Sequence, residues 1–374
     1  MNKLSRYIII SAIIVIASLT AWYFSSVVIY ILVAAVVSLI GKPLMNRLTK
    51  IKIKKIQFPR WLASICTITI LLSIFFGLFL FFTPLVSTII KQISTLDLES
   101  ISDSITIPLA DFNYFLSNNF PALGENFKIE VFLLNHVKNL VDISVFSGIF
   151  SSVTNFIINF SVGLFSIVFI SFFFLMEENM FTNIILALFP DTYKDRILHA
   201  SKSISNLLTR YFLGISIESL GITILNTIGL VLIAKVNFSM AVVIALISGI
   251  FNVVPYIGPL CGDVVAVLMG LFIHSSSATS LSLGMFLVVI LIIFIVTQLI
   301  DNYIFQPLIY SSSVKAHPLE IFIVFLLAGH MGGVIGMLIA VPSYTVIRVV
   351  AAEFFPKIKF VRLLTEDMQN NKKP

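Results

Sequence analysis

SMAVVIALISGIFNVVPYIGPLCGDVVAVLMGLFI, residues 239–273, decides how this chain folds. It is 35 residues long and carries one formal charge, Asp263. A straight helix of that length would reach about 52 Å, against roughly 30 Å of bilayer hydrocarbon. The stretch is interrupted at its middle by FNVVPYIGP, residues 251–259. Pro255 and Pro259 donate no backbone hydrogen bond, and Gly258 tolerates a sharp turn. Two short apolar helices joined by a break are expected, in lipid rather than in water.

The same plan recurs further on. Residues 318–352 form a second apolar stretch of 35 residues, interrupted at Ala328-Gly-His-Met-Gly-Gly333. Each broken stretch follows a full apolar span, residues 211–234 and 281–302 respectively. Charge counting runs those two spans in opposite directions, which is the plan of an inverted-topology repeat. Each broken stretch then reads as a re-entrant helical hairpin or as two crossings; both readings return the C-terminus to the same side.

Composition agrees. Of 374 residues, 58% are hydrophobic and 11% charged, where soluble domains are about one quarter charged. Soluble and disordered classes are excluded, and an all-α polytopic membrane protein is left. Six full spans plus two broken hairpins are expected, or eight spans if both hairpins cross. The net charge of +6 does not indicate nucleic acid, because seven of the 24 Lys and Arg residues lie between Lys42 and Arg60 with no acidic residue among them. Such a loop belongs on the cytoplasmic side, facing anionic lipid.

Five regions follow. Residues 1–84 hold three spans around the basic loop 42–60. Residues 85–145 carry seven acidic and three basic residues, and are expected as a small helical subdomain outside the cell. Residues 146–210 supply a fourth span and an amphipathic helix on the cytoplasmic surface, with Ile197, Ile204, Leu208 and Tyr211 on one face. Residues 211–352 form the transport core, and 353–374 a cytoplasmic tail. Cys66 and Cys261 sit in apolar runs as packing residues. No GxxxxGKS or HExxH motif occurs, so no nucleotide, metal or other cofactor is expected and the chain is not read as an enzyme.

Charges in lipid cost about 2.5–3.5 kcal/mol each, so the acidic residues of the core stand out. Glu218 lies within the fifth span, Asp263 just past the first break, Asp301 at the end of the next span and Glu320 at the start of the second broken stretch. Glu218, Asp263 and Glu320 are candidates for proton coupling; alternatively Asp301 and Glu320 cap helix ends at the interface, and Arg348 or Lys235 neutralises one of the carboxylates. Broken helices also expose unpaired backbone groups near the midplane. Asn252, Pro255, Tyr256, Gly258 and Pro259 are the candidates at the first tip. Gly329, His330, Gly332 and Gly333 are their counterparts at the second. If PYIGP makes only a tight turn, the first set has no such role. Helical spacing puts Gln298, Asp301 and Asn302 on one face, with Gln306 near it; they either line the pathway or stitch helices together. His317, before Pro318, reads as a rigid start to the second hairpin or as a proton relay.

These residues also carry a resemblance. PYIGP at 255–259, Gln298-Leu-Ile-Asp301-Asn302, Gln306-Pro307, His317-Pro318-Leu319, Gly332-Gly333, Gly336-Met337 and Ala340-Val341-Pro342 resemble, in that order, the bacterial autoinducer-2 exporter family (AI-2E). So do Lys42-Pro43-Leu44, Phe58-Pro59-Arg60-Trp61-Leu62-Ala63 and Arg210-Tyr211-Phe212-Leu213-Gly214. The carboxylates Asp263 and Glu320 depart from the commoner pattern. The resemblance implies a multi-pass transporter of the bacterial inner membrane. Family members are linked to export of autoinducer-2, and others are described as sodium or lithium/proton antiporters.

The expected function is therefore export of a small polar solute driven by an ion gradient. Antiport of a monovalent cation against protons is the alternative, and a non-transporting scaffold a second one. The expected partners are the lipid bilayer, the solute or cation, and further copies of the chain in a homo-oligomer.

Overall fold

The computed structural model describes residues 19–20, 22–53, 56–95, 161–177, 179–254, 257–276, 282–308 and 317–365. Most of the expected first span, the first half of the expected fourth and most of the expected outer subdomain, as well as Pro255 and Tyr256, lie outside these residues. The described chain is helical apart from one small hairpin, and it divides into two compact units, residues 1–75 with 154–198, and 76–153 with 199–374.

In the first unit, helix α1 is Ser25–Leu48, strands β1 (Lys52–Ile53) and β2 (Ile56–Gln57) form a tight antiparallel hairpin, and α2 begins at Arg60. Helix α3 is Ser161–Met176 and α4 is Met180–Leu188, bent 80° from it. α1 packs on α3 and on α2 through small groups. Ala34 is buried, its carbonyl accepts from Ser171 Oγ at 3.2 Å, and a methyl group at Gly41 would sit 2.9 Å from Thr67. Met45, Ala63, Ile68 and Leu175 form the core below them.

Two boundaries differ from the sequence expectation. α1 continues through Pro43 to Leu48, and α2 continues through Pro84 to Thr95. A proline removes one hydrogen bond and bends a helix, but in an apolar segment the other backbone groups still need internal partners, so the helix carries on. The basic segment is accordingly half helix and half β-hairpin.

The second unit is built on α5, Lys194–Leu232, which enters it at residue 199. The expected surface helix and fifth span are here one helix, because residues 194–213 contain neither Gly nor Pro to end it. Its 39 residues extend about 58 Å, well beyond the hydrocarbon thickness. Then follow α6 (Phe238–Phe251), α7 (Ile257–Ser276), α8 (Leu283–Ile300), a π-helical turn (Asp301–Phe305), α9 (Pro318–Phe354) and the short α10 (Lys359–Leu364).

Both broken stretches fold back on themselves. A Cβ at Gly258 would overlap the Phe251 carbonyl, and one at Gly262 would lie 3.2 Å from Ser248 Cα, so α6 and α7 meet backbone to backbone. α9 is broken at Gly333, where φ is 57° and ψ is −141°, a region open essentially to glycine alone. Beyond it, a Cβ at Gly336 would overlap the Ala328 carbonyl. Residues eight apart in a straight helix are about 12 Å apart, so α9 is itself a hairpin.

Leu230, Ile244, Phe286 and Ile290 centre one core in this unit. Tyr211, Ile215, Ile321, Phe325, Ala340 and Val341 form another, against which Val253 and Val254 of the first tip pack. The outer faces stay apolar. Along α8, Met285, Val288, Ile292, Ile295 and Leu299 are all about half exposed. A contiguous apolar face of that size is unsuited to water and suited to lipid. Five described helices are long and apolar enough to cross a membrane, six if α3 and α4 count as one.

Candidate functional site

The glycines of α5 let its neighbours approach closely enough to bury polar side chains against it. A Cβ at Gly221 would lie 2.7 Å from the Phe305 ring, and one at Gly229 2.6 Å from Ile293, so α8 and its π turn run against α5. On another side, Ser219 Oγ donates to the Gly249 carbonyl at 2.6 Å, which brings α6 in. Glu218 and Asp301 are carried into the interior by these contacts, 2% and 0% exposed respectively.

Asn252, just past the end of α6, donates from Nδ2 to Glu218 Oε1 at 3.2 Å. The π turn that carries Asp301 packs at Gly221, about one turn of α5 from Glu218. Gln306 Nε2 donates to Asp301 Oδ2 at 2.7 Å, and Gln298 Nε2 approaches the same oxygen at 3.5 Å. Two oxygens of the pair, Glu218 Oε2 and Asp301 Oδ1, are buried with no hydrogen-bond donor.

The π turn makes this possible. In an α-helix a residue five positions on lies on a different face, whereas in a π turn it comes round over the first. Gln306 therefore caps Asp301, while Asn302 and Tyr303 face outward. Helical spacing had grouped Gln298, Asp301 and Asn302. The structure does link Gln298 to Asn302, at 3.3 Å, but on an exposed face. Sequence spacing carries no direct signal for a π turn, so the part played by Gln306 was seen only as proximity.

A second polar station lies one helical turn back along α6. Asn226 Nδ2 donates to Ser248 Oγ at 3.2 Å, and Ser248 Oγ donates to Asp263 Oδ1 at 2.9 Å. Asn226 is wholly buried, and its Oδ1 has no donor. Sequence reading did not single out Asn226, Ser248 or Ser219; isolated amides and hydroxyls in apolar spans gave no spacing to follow.

The remaining candidates lie elsewhere in this unit. Gly258 and Pro259 are buried where α7 starts. Glu320 accepts from the Tyr344 hydroxyl at 2.6 Å and is not joined to the buried pair by any hydrogen bond among the described residues. His317 caps α9 by accepting from Leu319 N at 3.3 Å, as a rigid start requires. Gly329 packs on Met337, while substituents at Gly332 and Gly333 would meet open space. Arg348 is buried, donates to the Leu364 carbonyl and lies over the Tyr344 ring; Lys235 occupies the turn after α5 with φ 57°.

Apolar outer faces and long apolar helices define a multi-pass membrane protein. Residues 10–355 match the family described as "AI-2E family transporter", and the chain belongs to that family. It is 27% identical over 364 residues to a Bacillus subtilis protein described as "Putative transport protein YueF", covering 94% of this chain and 90% of that one. It is also 27% identical over 272 residues to YrrI of Bacillus subtilis, covering 67% of this chain and 71% of that one. A third relative, MJ1177 of Methanocaldococcus jannaschii, is 25% identical over 256 residues, with the same coverage of each chain. The last two carry the same transport description.

Proposed function

We propose that this protein exports a small polar solute across a bacterial inner membrane, coupled to an ion gradient through the Glu218–Asp301 pair. The observation that carries this reading is the two buried carboxyl oxygens, Glu218 Oε2 and Asp301 Oδ1, that lack a donor. Two ionised carboxylates buried side by side repel, and burial leaves that repulsion little screened. A buried acceptor without a donor costs about 1–3 kcal/mol more. One proton, or one monovalent cation, relieves both, and its arrival or departure changes which contacts α5, α6 and the π turn prefer.

In this reading the two hairpins are re-entrant halves of an inverted repeat, with both chain termini cytoplasmic, and the chain works as a homo-oligomer. Asn226, Ser248 and Asp263 offer acceptors and donors to a hydroxyl-rich solute beside the ion site. Autoinducer-2, small and oxygen-rich, is the solute that the family suggests.

Cation/proton antiport is the second reading, favoured because the same oxygens suit sodium or lithium as well as a proton. Proteoliposomes holding the purified protein separate the two. Export predicts autoinducer-2 movement that requires an imposed ion gradient. Antiport predicts sodium- or lithium-driven proton movement with no solute present. If neither flux exceeds that of empty vesicles, both readings fail.

A further inference from the structure

The last span ends at Phe354, and only four residues separate it from α10. Chain this close to a span end lies at the membrane surface. α10 has three distinct sides. Val361, Leu364 and Thr365 face the protein, with Thr365 1% exposed. At 100° per residue, Phe360 and Leu363 form an adjacent stripe, and they are 68% and 63% exposed. Lys359 and Arg362 form the next stripe, also exposed, with Lys357 just before the helix. Ile358 and Phe355 extend the exposed apolar surface. A helix with one face on protein, one apolar stripe and one basic stripe suits an interface where acyl chains meet anionic headgroups. Residues 355–374 carry five basic residues against Glu366 and Asp367, so the segment is net positive.

The protein-facing side is tied inward. The Arg348 guanidinium donates to the Leu364 carbonyl at the C-terminal end of α10, where a cation is favourable. Arg348 also lies 5.7 Å from the centre of the Tyr344 ring, and the Tyr344 hydroxyl donates to Glu320 at the start of α9. A line of contacts thus joins α10 to both arms of the second hairpin.

We propose that α10 is a docking surface for anionic phospholipid, and that Arg348 links its docking to the second hairpin. Each of Lys357, Lys359 and Arg362 near a charged surface contributes about a fivefold change in the docked-to-undocked ratio.

The test uses the full chain in vesicles of phosphatidylcholine, with or without phosphatidylglycerol. Cys66→Ser and Cys261→Ser clear the background, and Leu363→Cys carries a fluorescent label. With phosphatidylglycerol, the label is expected to be quenched by a nitroxide on the acyl chain and shielded from aqueous iodide. Joint replacement of Lys357, Lys359 and Arg362 by Gln is expected to reverse this. In a separate preparation, Arg348→Gln is expected to remove the effect of phosphatidylglycerol on maleimide labelling of Leu319→Cys, an exposed position at the start of α9. Arg348 is buried, so if that variant does not fold, Tyr344→Phe breaks the same line at Glu320. Iodide quenching equal in both lipids would overturn the proposal. Acyl-chain quenching that ignores phosphatidylglycerol would overturn the anionic part, leaving apolar insertion only. Labelling of Leu319→Cys that is the same in both lipids with Arg348 intact would overturn the link.

Discussion

The first hairpin opens over the five residues between Phe251 and Ile257 and carries Ser248, Asn252 and Asp263, each hydrogen-bonded to a polar side chain. The second turns at one residue, Gly333, and closes its arms over Phe325, Ala340 and Val341. Its polar residues, Glu320, Tyr344 and Arg348, sit towards its open end. The two hairpins thus both fold back on themselves while dividing the buried side chains between polar and apolar. The first hairpin meets the buried carboxyl pair, and the second supplies apolar packing and an anchored base. A shared hairpin shape does not require shared chemistry, because that shape depends on a few close glycine approaches that leave the other positions free.

If that division is right, substitutions in the two hairpins fail differently. Asn252→Leu removes the donor to Glu218 Oε1. A hydrogen bond to a charged group is worth about 1.5–3 kcal/mol, so coupled flux is expected to fall by roughly ten- to a hundredfold. Stability in detergent, read from thermal unfolding, should fall by about 1–3 kcal/mol for the unpaired Glu218 oxygen, so flux is read at matched folded amounts. Phe325→Ala should lower stability alone. Emptying that buried site costs about 3–5 kcal/mol of stability, while the flux per folded molecule and its ion stoichiometry hold. Equal loss of flux in the two variants at matched folded amounts would erase the distinction.

Smaller effects sharpen the geometry. Gly258→Ala and Gly336→Ala each drive a methyl group into a carbonyl, of Phe251 and Ala328 respectively. Overpacking of this kind costs about 1–3 kcal/mol or more, and both variants should lower the unfolding temperature alike. Gly333→Ala meets no atom within 4 Å, so its cost is backbone strain alone, about 1–3 kcal/mol. Gly332→Ala, in open space without unusual dihedrals, should stay within about 0.5 kcal/mol of the parent. A Gly332 effect as large as that at Gly333 would place the turn at the wrong residue.

Much of this was legible in the residues. The two broken 35-residue stretches, the apolar composition and the basic segment 42–60 led to an all-α membrane protein, and Gly332-Gly333 marked the second break. Boundaries at Pro43 and Pro84 were misjudged because flanking residues carry a helix through a proline. The surface helix and fifth span were separated because polarity changes near Tyr211, yet polarity decides what a helix faces, not where it ends. Of the site, Glu218 and Asp301 stood out as costly charges in lipid, and Asn252 as a residue of the first hairpin tip. Their convergence did not, since it depends on glycines at 221, 229 and 249 that set helix spacing, and on a π turn that brings Gln306 onto Asp301. Asn226 and Ser248 were invisible for the same reason: a single amide or hydroxyl in an apolar span acquires meaning only from what faces it.

The most direct measurement is ion-coupled flux in proteoliposomes for Glu218→Gln, Asp301→Asn and the double variant. If the two carboxyls hold one ion together, each single change removes most of the coupled flux and the double change removes little more, a strongly non-additive cycle. Losses that multiply, or a single variant that keeps parental flux, would contradict the shared site.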